Sequence, residues 1–293
     1  MPLHPHTRSP AALDIDEEPA VDVTPTEERE IEEQAEPRLP VIYEIVRRRG
    51  GHELNRPVTS LWWSGLAAGL SIGLSVLGQA LIASYLPDTD WSPVVEKLGY
   101  SFGFVLVIMA GQQLFTENTL TAVAPVLARP GLANFLLLSR LWSVVLVANL
   151  VGASCFAWFA GLPSVLPAGV ADEITLISRH ALDKTPTALL LRGIAAGFLI
   201  ASLVWILARA QGDRVLLIVL ITWIVALGDF AHVIAGSVEA AWLVLAGERS
   251  AVEAGVGFVL PTLAGNVVGG TVLFAVLAYA QIVEEMKEAP RSG

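Results

Sequence analysis

Cysteine is almost absent. Cys155 is the one copy in 293 residues, which excludes an intrachain disulfide and a multi-cysteine metal site. It stands in the apolar run Gly152-Ala153-Ser154-Cys155-Phe156 and reads as a small buried hydrophobe rather than a reactive thiol. Charge is scarce too, at 16% against about 25% in soluble domains. With 54% hydrophobic residues and a mean hydropathy of +0.62, an ordinary soluble domain is excluded. There is no basic surplus: 18 Lys and Arg against 28 Asp and Glu give −10, so the chain is not expected to bind nucleic acid through clustered cations. The first 40 residues lack the apolar stretch of a cleavable signal peptide, so the membrane part is expected to insert by its own helices. Histidine or cysteine clusters, a nucleophile motif and a strand-linked phosphate loop are also missing, so no enzyme, cofactor or metal is expected.

What charge there is lies unevenly. Residues 1–58 hold 13 of the 28 acids and 7 of the 18 bases, which is −6 of the −10 and leaves −4 for the remaining 235 residues. Residues 1–40 are rich in Pro, Glu, Asp, Thr and Ala, too poor in large apolar groups to offset the entropy of ordering. They are expected to form a disordered acidic cytoplasmic tail, in which His4 and His6 have no further metal ligands. Residues 41–58 read as an interfacial segment. Ile42, Ile45 and Val46 recur at helical spacing ahead of Arg47-Arg48-Arg49, predicting a short amphipathic helix on the membrane surface that ends at Gly50-Gly51.

Residues 59–284 read as a transmembrane channel domain, followed by a cytoplasmic tail over 285–293. About 20 apolar residues make one span, and the candidates are 61–86, 98–128, 134–160, 188–209, 213–247 and 254–283. The second is interrupted by Gln112-Gln113-Leu114-Phe115-Thr116-Glu117-Asn118. The fifth is interrupted by Gly228-Asp229-Phe230-Ala231-His232 and then Gly236-Ser237-Val238-Glu239. Broken helices survive in hydrocarbon only where protein covers them or they line a cavity, so these two interruptions are the first candidates for function. Ten bases fall on the side of the termini and five (Lys97, Arg179, Lys184, Arg192 and Arg249) on the other, which predicts cytoplasmic termini. Trp62 and Trp63 fit an interfacial aromatic belt.

The chain repeats itself. Gly65-Leu66-Ala67-Ala68-Gly69 matches Gly193-Ile194-Ala195-Ala196-Gly197, and Asn149-Leu150-Val151-Gly152-Ala153 matches Asn266-Val267-Val268-Gly269-Gly270. Gly111 to Gly228 and Asn149 to Asn266 are both separated by 117 residues. Three spans per half is odd, so the second half must run the opposite way. That makes an all-α membrane protein built as an inverted 3+3 repeat, an architecture whose pathway lies near the midplane at matched broken helices. Gly65, Gly69 and Gly73, like Gly265 and Gly269, stand four apart on one face and read as close helix contacts.

His232 is the one histidine within a span, and an ionisable group there is a candidate for function. A plain interhelical hydrogen bond is the alternative. Glu117, Asp229 and Glu239 lie in or beside the breaks. Capping, or pairing with Arg140 or Arg192, would account for them. If they face a pore, they favour protons, cations or neutral solutes over anions.

Gly111-Gln112-Gln113-Leu114-Phe115-Thr116, His232 in its glycine-rich break and Gly265-Asn266-Val267-Val268-Gly269-Gly270 together resemble the formate/nitrite transporter family over residues 58–284, as a divergent branch. The resemblance implies an aquaporin-like six-span protomer with its own pore, assembled as a homopentamer in the lipid bilayer. It further implies that Leu114, Phe115 and Thr116 belong to the constriction and its gating loop, and that His232 is the central pore histidine. Lys184 is the best match for the vestibule lysine. The family's Gly-Phe-Glu-His is matched here by Gly228-Asp229-Phe230-Ala231-His232, one residue longer, and Gly197 stands where an asparagine is common.

The function expected is passage of small monovalent anions, or their conjugate acids, through the inner membrane, with His232 assisting proton transfer. Two other readings stay open. A channel for a small neutral solute would show flux that ignores pH. A scaffold with a vestigial pore would lose its role on deletion of residues 1–40.

Overall fold

Small residues set how closely the helices approach. A Cβ on Gly69 would lie 2.2 Å from the Asn149 carbonyl oxygen, and one on Gly269 would lie 2.0 Å from that of Ile194. These contacts join the second helix to the fifth and the seventh to the tenth in a computed structural model that describes residues 24, 26, 37–210 and 212–288. The helices are α1 (Leu39–Leu54), α2 (Val58–Ala83), α3 (Ser92–Met109), α4 (Asn118–Ala128), α5 (Leu132–Ala160), α6 (Val170–Leu182), α7 (Pro186–Arg209), α8 (Arg214–Leu227), α9 (Val233–Leu245) and α10 (Glu253–Val283). The last continues helically to Glu288. No strand occurs among the described residues. His4, His6 and most of the acidic tail, with residues 289–293, lie outside them.

Five helices, α2, α3, α5, α7 and α10, are long and apolar enough to cross a bilayer. Two of the six expected crossings are split. The second span is α3 followed by the short α4, and the fifth is the pair of half-helices α8 and α9, so the chain is an all-helical six-span membrane protein with matched breaks. Leu132, Phe135, Leu136, Trp158 and Phe159 of α5 point outward, as an element facing lipid requires. Trp63 is 67% exposed at the start of α2. Between α3 and α8, where hydrocarbon supplies no hydrophobic drive, the Thr222 hydroxyl donates to Ser101 Oγ at 2.9 Å.

Two expectations are corrected. The helix over residues 39–54 does not end at Gly50-Gly51; α1 runs through both to Leu54. Gly50 is there because a Cβ would lie 1.7 Å from the Thr121 carbonyl oxygen, whereas Gly51 faces open space. The buried face of α1 (Ile42, Tyr43, Val46, Gly50 and Leu54) packs on protein, with the Tyr43 hydroxyl donating to Ala124 O at 2.9 Å, while Leu39, Val41 and Ile45 are exposed. Burial pushes the Tyr43 phenol up to about 12. Cys155, expected inside, is exposed on α5. In a membrane helix an apolar run faces lipid as readily as core, so hydropathy alone does not tell the two apart.

Helix α6 was not anticipated. It carries Asp172 and Glu173 in its first turn and Arg179 and His180 in its last, which suits the helix dipole. Arg179 grips Glu248 through two bonds of 2.6 and 2.7 Å, and Arg249 pairs with Asp183. These pairs pin α6 to the turn after α9.

Candidate functional site

Both breaks are built by one device. Helix α3 ends with Gly111 N–H donating to Ile108 O and Gln112 N–H to Val107 O; α8 ends with Asp229 N–H donating to Ala226 O and Phe230 N–H to Val225 O. This crossed pair of bonds closes a helix on one left-handed residue. That residue is Gly111 (φ 63°) in the first half and Asp229 (φ 51°) in the second. The pairing of Gly111 with Gly228 is therefore corrected by one residue, to an offset of 118. Asp229 takes the glycine's place three residues before His232, so the apparent extra residue in that motif disappears.

The carbonyls and amides freed by each break are taken up by an asparagine from the following span. Asn149 Nδ2 donates to Gly65 O at 2.8 Å and Gln113 O at 2.9 Å, while its Oδ1 accepts from Phe115 N at 2.9 Å. Asn266 Nδ2 donates to Gly193 O at 2.9 Å and Ala231 O at 2.8 Å, while its Oδ1 accepts from Val233 N at 2.8 Å. Each amide is buried and uses both donors and its acceptor. In the sequence these residues stand out as marks of the repeat and, for Asn266, as part of the glycine-rich family motif. A lone amide in the same position of two matched spans was the available signal.

At the point where the breaks meet, Thr116 Oγ1 and His232 Nε2 are 2.7 Å apart. His232 also caps α9, its Nδ1 accepting from Ala235 N at 3.3 Å. A neutral ring that accepts at Nδ1 carries its proton on Nε2 and donates it to the threonine hydroxyl. Phe104 stands edge-on against the imidazole with centroids 5.0 Å apart. The ring is buried, and one side of it lines a cavity of about 60 Å³ under α6, space for about two waters.

Lys184, Asp229, His232 and Glu239 all line this cavity, with Lys97, Tyr100 and His180. Lys184 Nζ lies 3.1 Å from Asp229 Oδ2, and Arg192 pairs with the same oxygen. Lys97 Nζ donates to Gln79 Oε1 at 3.3 Å and to Glu96 at 3.1 Å. Leu114 and Phe115 are buried but do not line the cavity; the Phe115 ring packs edge-on against Trp142 at 5.6 Å. Glu117 is elsewhere, buried below the first break with Arg49 Nη2 at 4.0 Å from its Oε2. Gln113 bridges Glu53 at 2.8 Å and Asn118 at 3.0 Å nearby. Arg140 pairs with none of the three acids and donates to Leu54 O and Arg56 O. Gly197 leaves no room for an asparagine, since a Cβ there would lie 2.3 Å from Asn266 O. Among the described residues no group of three histidine, cysteine or acid side chains could hold a metal ion.

The profile of the formate/nitrite transporter family matches residues 40–280. The chain is 42% identical over 258 residues to inner membrane protein YfdC of Escherichia coli, covering 88% of this chain and 83% of that protein. It is 26% identical over 187 residues to formate channel FocA of Haemophilus influenzae, covering 61% of this chain and 64% of that one. A solved pentameric formate channel with formate bound superposes with a TM-score of 0.67 at 22% identity, over 78% of this chain and 98% of the channel.

Proposed function

The chain belongs to the formate/nitrite transporter family, a family of membrane transport proteins rather than enzymes, and from that premise we infer that it conducts small monovalent weak-acid anions, or their conjugate acids, past His232. The observation that carries this reading is the cavity under α6, lined by Lys184 and the His232 imidazole, with Arg192 paired to Asp229 of the same lining. Cationic heads draw a small anion in. Loss of water then disfavours its charge and raises its pKa. A proton delivered from vestibule water neutralises it, His232 Nε2–H turns from Thr116 to offer the hydrogen bond that orients it, and the neutral acid crosses the apolar segment that stops the ion. Leu114, Phe115 and Thr116 form the constriction beside that ring.

The same reading takes the protomer as one of five in a homopentamer of the inner membrane, with both termini cytoplasmic, residues 1–40 an acidic tail and residues 59–284 the channel. It draws on the names of the relatives and on the ten-to-five distribution of bases. Glu239 favours one other reading. A carboxylate in the same cavity as His232 suits a neutral solute as well as a protonated one.

Uptake of formate, nitrite, acetate and hydrosulfide into vesicles at two pH values, with wild type and His232→Asn, tests the reading. At least one of these solutes is expected to enter faster at the lower pH and about tenfold more slowly in the variant. Equal flux in both proteins for every solute overturns it.

A further inference from the structure

Asp229 is gripped by two cationic side chains and a histidine. Arg192 Nη1, Lys184 Nζ at 3.1 Å and His180 Nε2 at 3.3 Å all converge on one oxygen, Oδ2, and Arg192 also holds the Asp229 carbonyl at 3.1 Å. Lys184 is fixed from behind by donating to His180 O at 2.7 Å. Three donors, from α6, the segment that follows it and α7, on one carboxylate oxygen form a receptor for a small anion, and a residue of the chain itself fills it.

The backbone shows that this carboxylate is held against the easier alternative. The left-handed residue that closes α3 is glycine, which takes that conformation without strain, whereas α8 closes on an aspartate at φ 51°. Aspartate tolerates the region better than most residues, but glycine would serve the turn at least as well. Something other than the turn therefore needs the carboxylate. Asp229, Lys184 and His180 line the same cavity as His232, so an anion in that cavity lies within reach of these donors.

We propose that Asp229 is a built-in competitor: its carboxylate occupies the vestibule's anion cradle, and an incoming monovalent carboxylate or similar small anion must displace it from Arg192, Lys184 and His180. The proposal rests on the transport reading for its direction of traffic but not for the cradle itself. A tethered ligand lowers the apparent affinity for a free one by the fraction of time that it occupies the site. It therefore sets the concentration at which the pore begins to fill, and it rejects anions that grip the cations less firmly than a carboxylate does.

The test uses the full chain in detergent, in gluconate buffer, titrated with formate and with acetate while the anion-dependent rise in thermal midpoint is followed. Asp229→Gly and Asp229→Asn both suit the left-handed backbone and remove the charge. Each is expected to lower the half-saturating anion concentration about tenfold, and adding Arg192→Gln to either is expected to abolish that gain. Half-saturation unchanged or raised in both single variants overturns the proposal. Vesicle uptake run beside the titration separates the two readings. Tighter binding without flux in any variant would overturn the transport function and leave the competitor standing; normal flux with unchanged binding would do the reverse.

Discussion

Thr116 and His232 are 116 residues apart in the chain and 2.7 Å apart in space. One belongs to the break of the first half and the other to the break of the second, so this hydrogen bond joins the two breaks directly. Thr116→Val removes the acceptor for Nε2–H while keeping the branched shape, and Thr116→Ser keeps the hydroxyl. Anion flux is expected to fall about tenfold in the valine variant, the worth of roughly one buried hydrogen bond, and to stay near wild type in the serine variant. Stopped-flow vesicle uptake reads both, and equal rates in the two would remove the hydroxyl from the pathway.

Asn149 and Asn266 hold the breaks open. Aspartate at either position keeps the shape but sets an oxygen against two carbonyls, losing two donors at about 1–1.5 kcal/mol apiece. Each substitution is therefore expected to cost at least ~2 kcal/mol, and to the same degree in both halves because the three bonds correspond. Denaturant unfolding in mild detergent measures it. A large loss in one half with none in the other would contradict the equivalence.

Neighbouring glycines in α1 should respond in opposite directions. Gly50→Ala drives a methyl into the Thr121 carbonyl and is expected to cost about 2 kcal/mol or more. Gly51→Ala meets nothing within 4 Å and is expected to stabilise by about 0.5–1 kcal/mol through helix propensity. Thermal midpoints of the two single variants against wild type decide it.

The Glu44 carboxyl is held down at about 2, chiefly by its hydrogen bond to Arg47 and further by Arg48. A depressed acid stabilises the fold above its ordinary pKa of 4.5 and loses that contribution as pH falls toward 2. The groups are partly exposed, so the gain is a few tenths of a kcal/mol. Glu44→Gln should be slightly less stable than wild type at pH 7, and the difference should shrink steadily below pH 4.5. A gap that widened on acidification would reverse the sign.

The six crossings and their two interruptions were legible because polar residues cannot sit in hydrocarbon without cover, and Gln112 to Asn118 and Gly228 to His232 stand out against their surroundings. The inversion was legible from spacing. The register of the second break was not, since Gly228 offers itself as the left-handed residue and only the backbone shows that Asp229 takes that role. Nor was the convergence of His180, Lys184 and Arg192. It depends on α6, whose position over the cavity mouth comes from exposed ion pairs with residues about 66 to 69 positions away, contacts that leave no periodic trace. The asparagines were visible as repeated letters, but their function follows from which backbone groups the breaks leave unpaired.

Gly111 and Asp229 occupy the same backbone position in opposite halves, and only one of them bears a charge. Two mouths that differ in this way give a conduit whose two ends saturate at different concentrations. In a passive pore, detailed balance requires the ratio of maximal rate to half-saturation to be equal in the two directions at zero voltage. The end that fills less readily must then also pass its solute at the higher ceiling, so an Asp229 that competes for the vestibule as proposed would make import and export differ in kinetics while leaving their equilibrium the same.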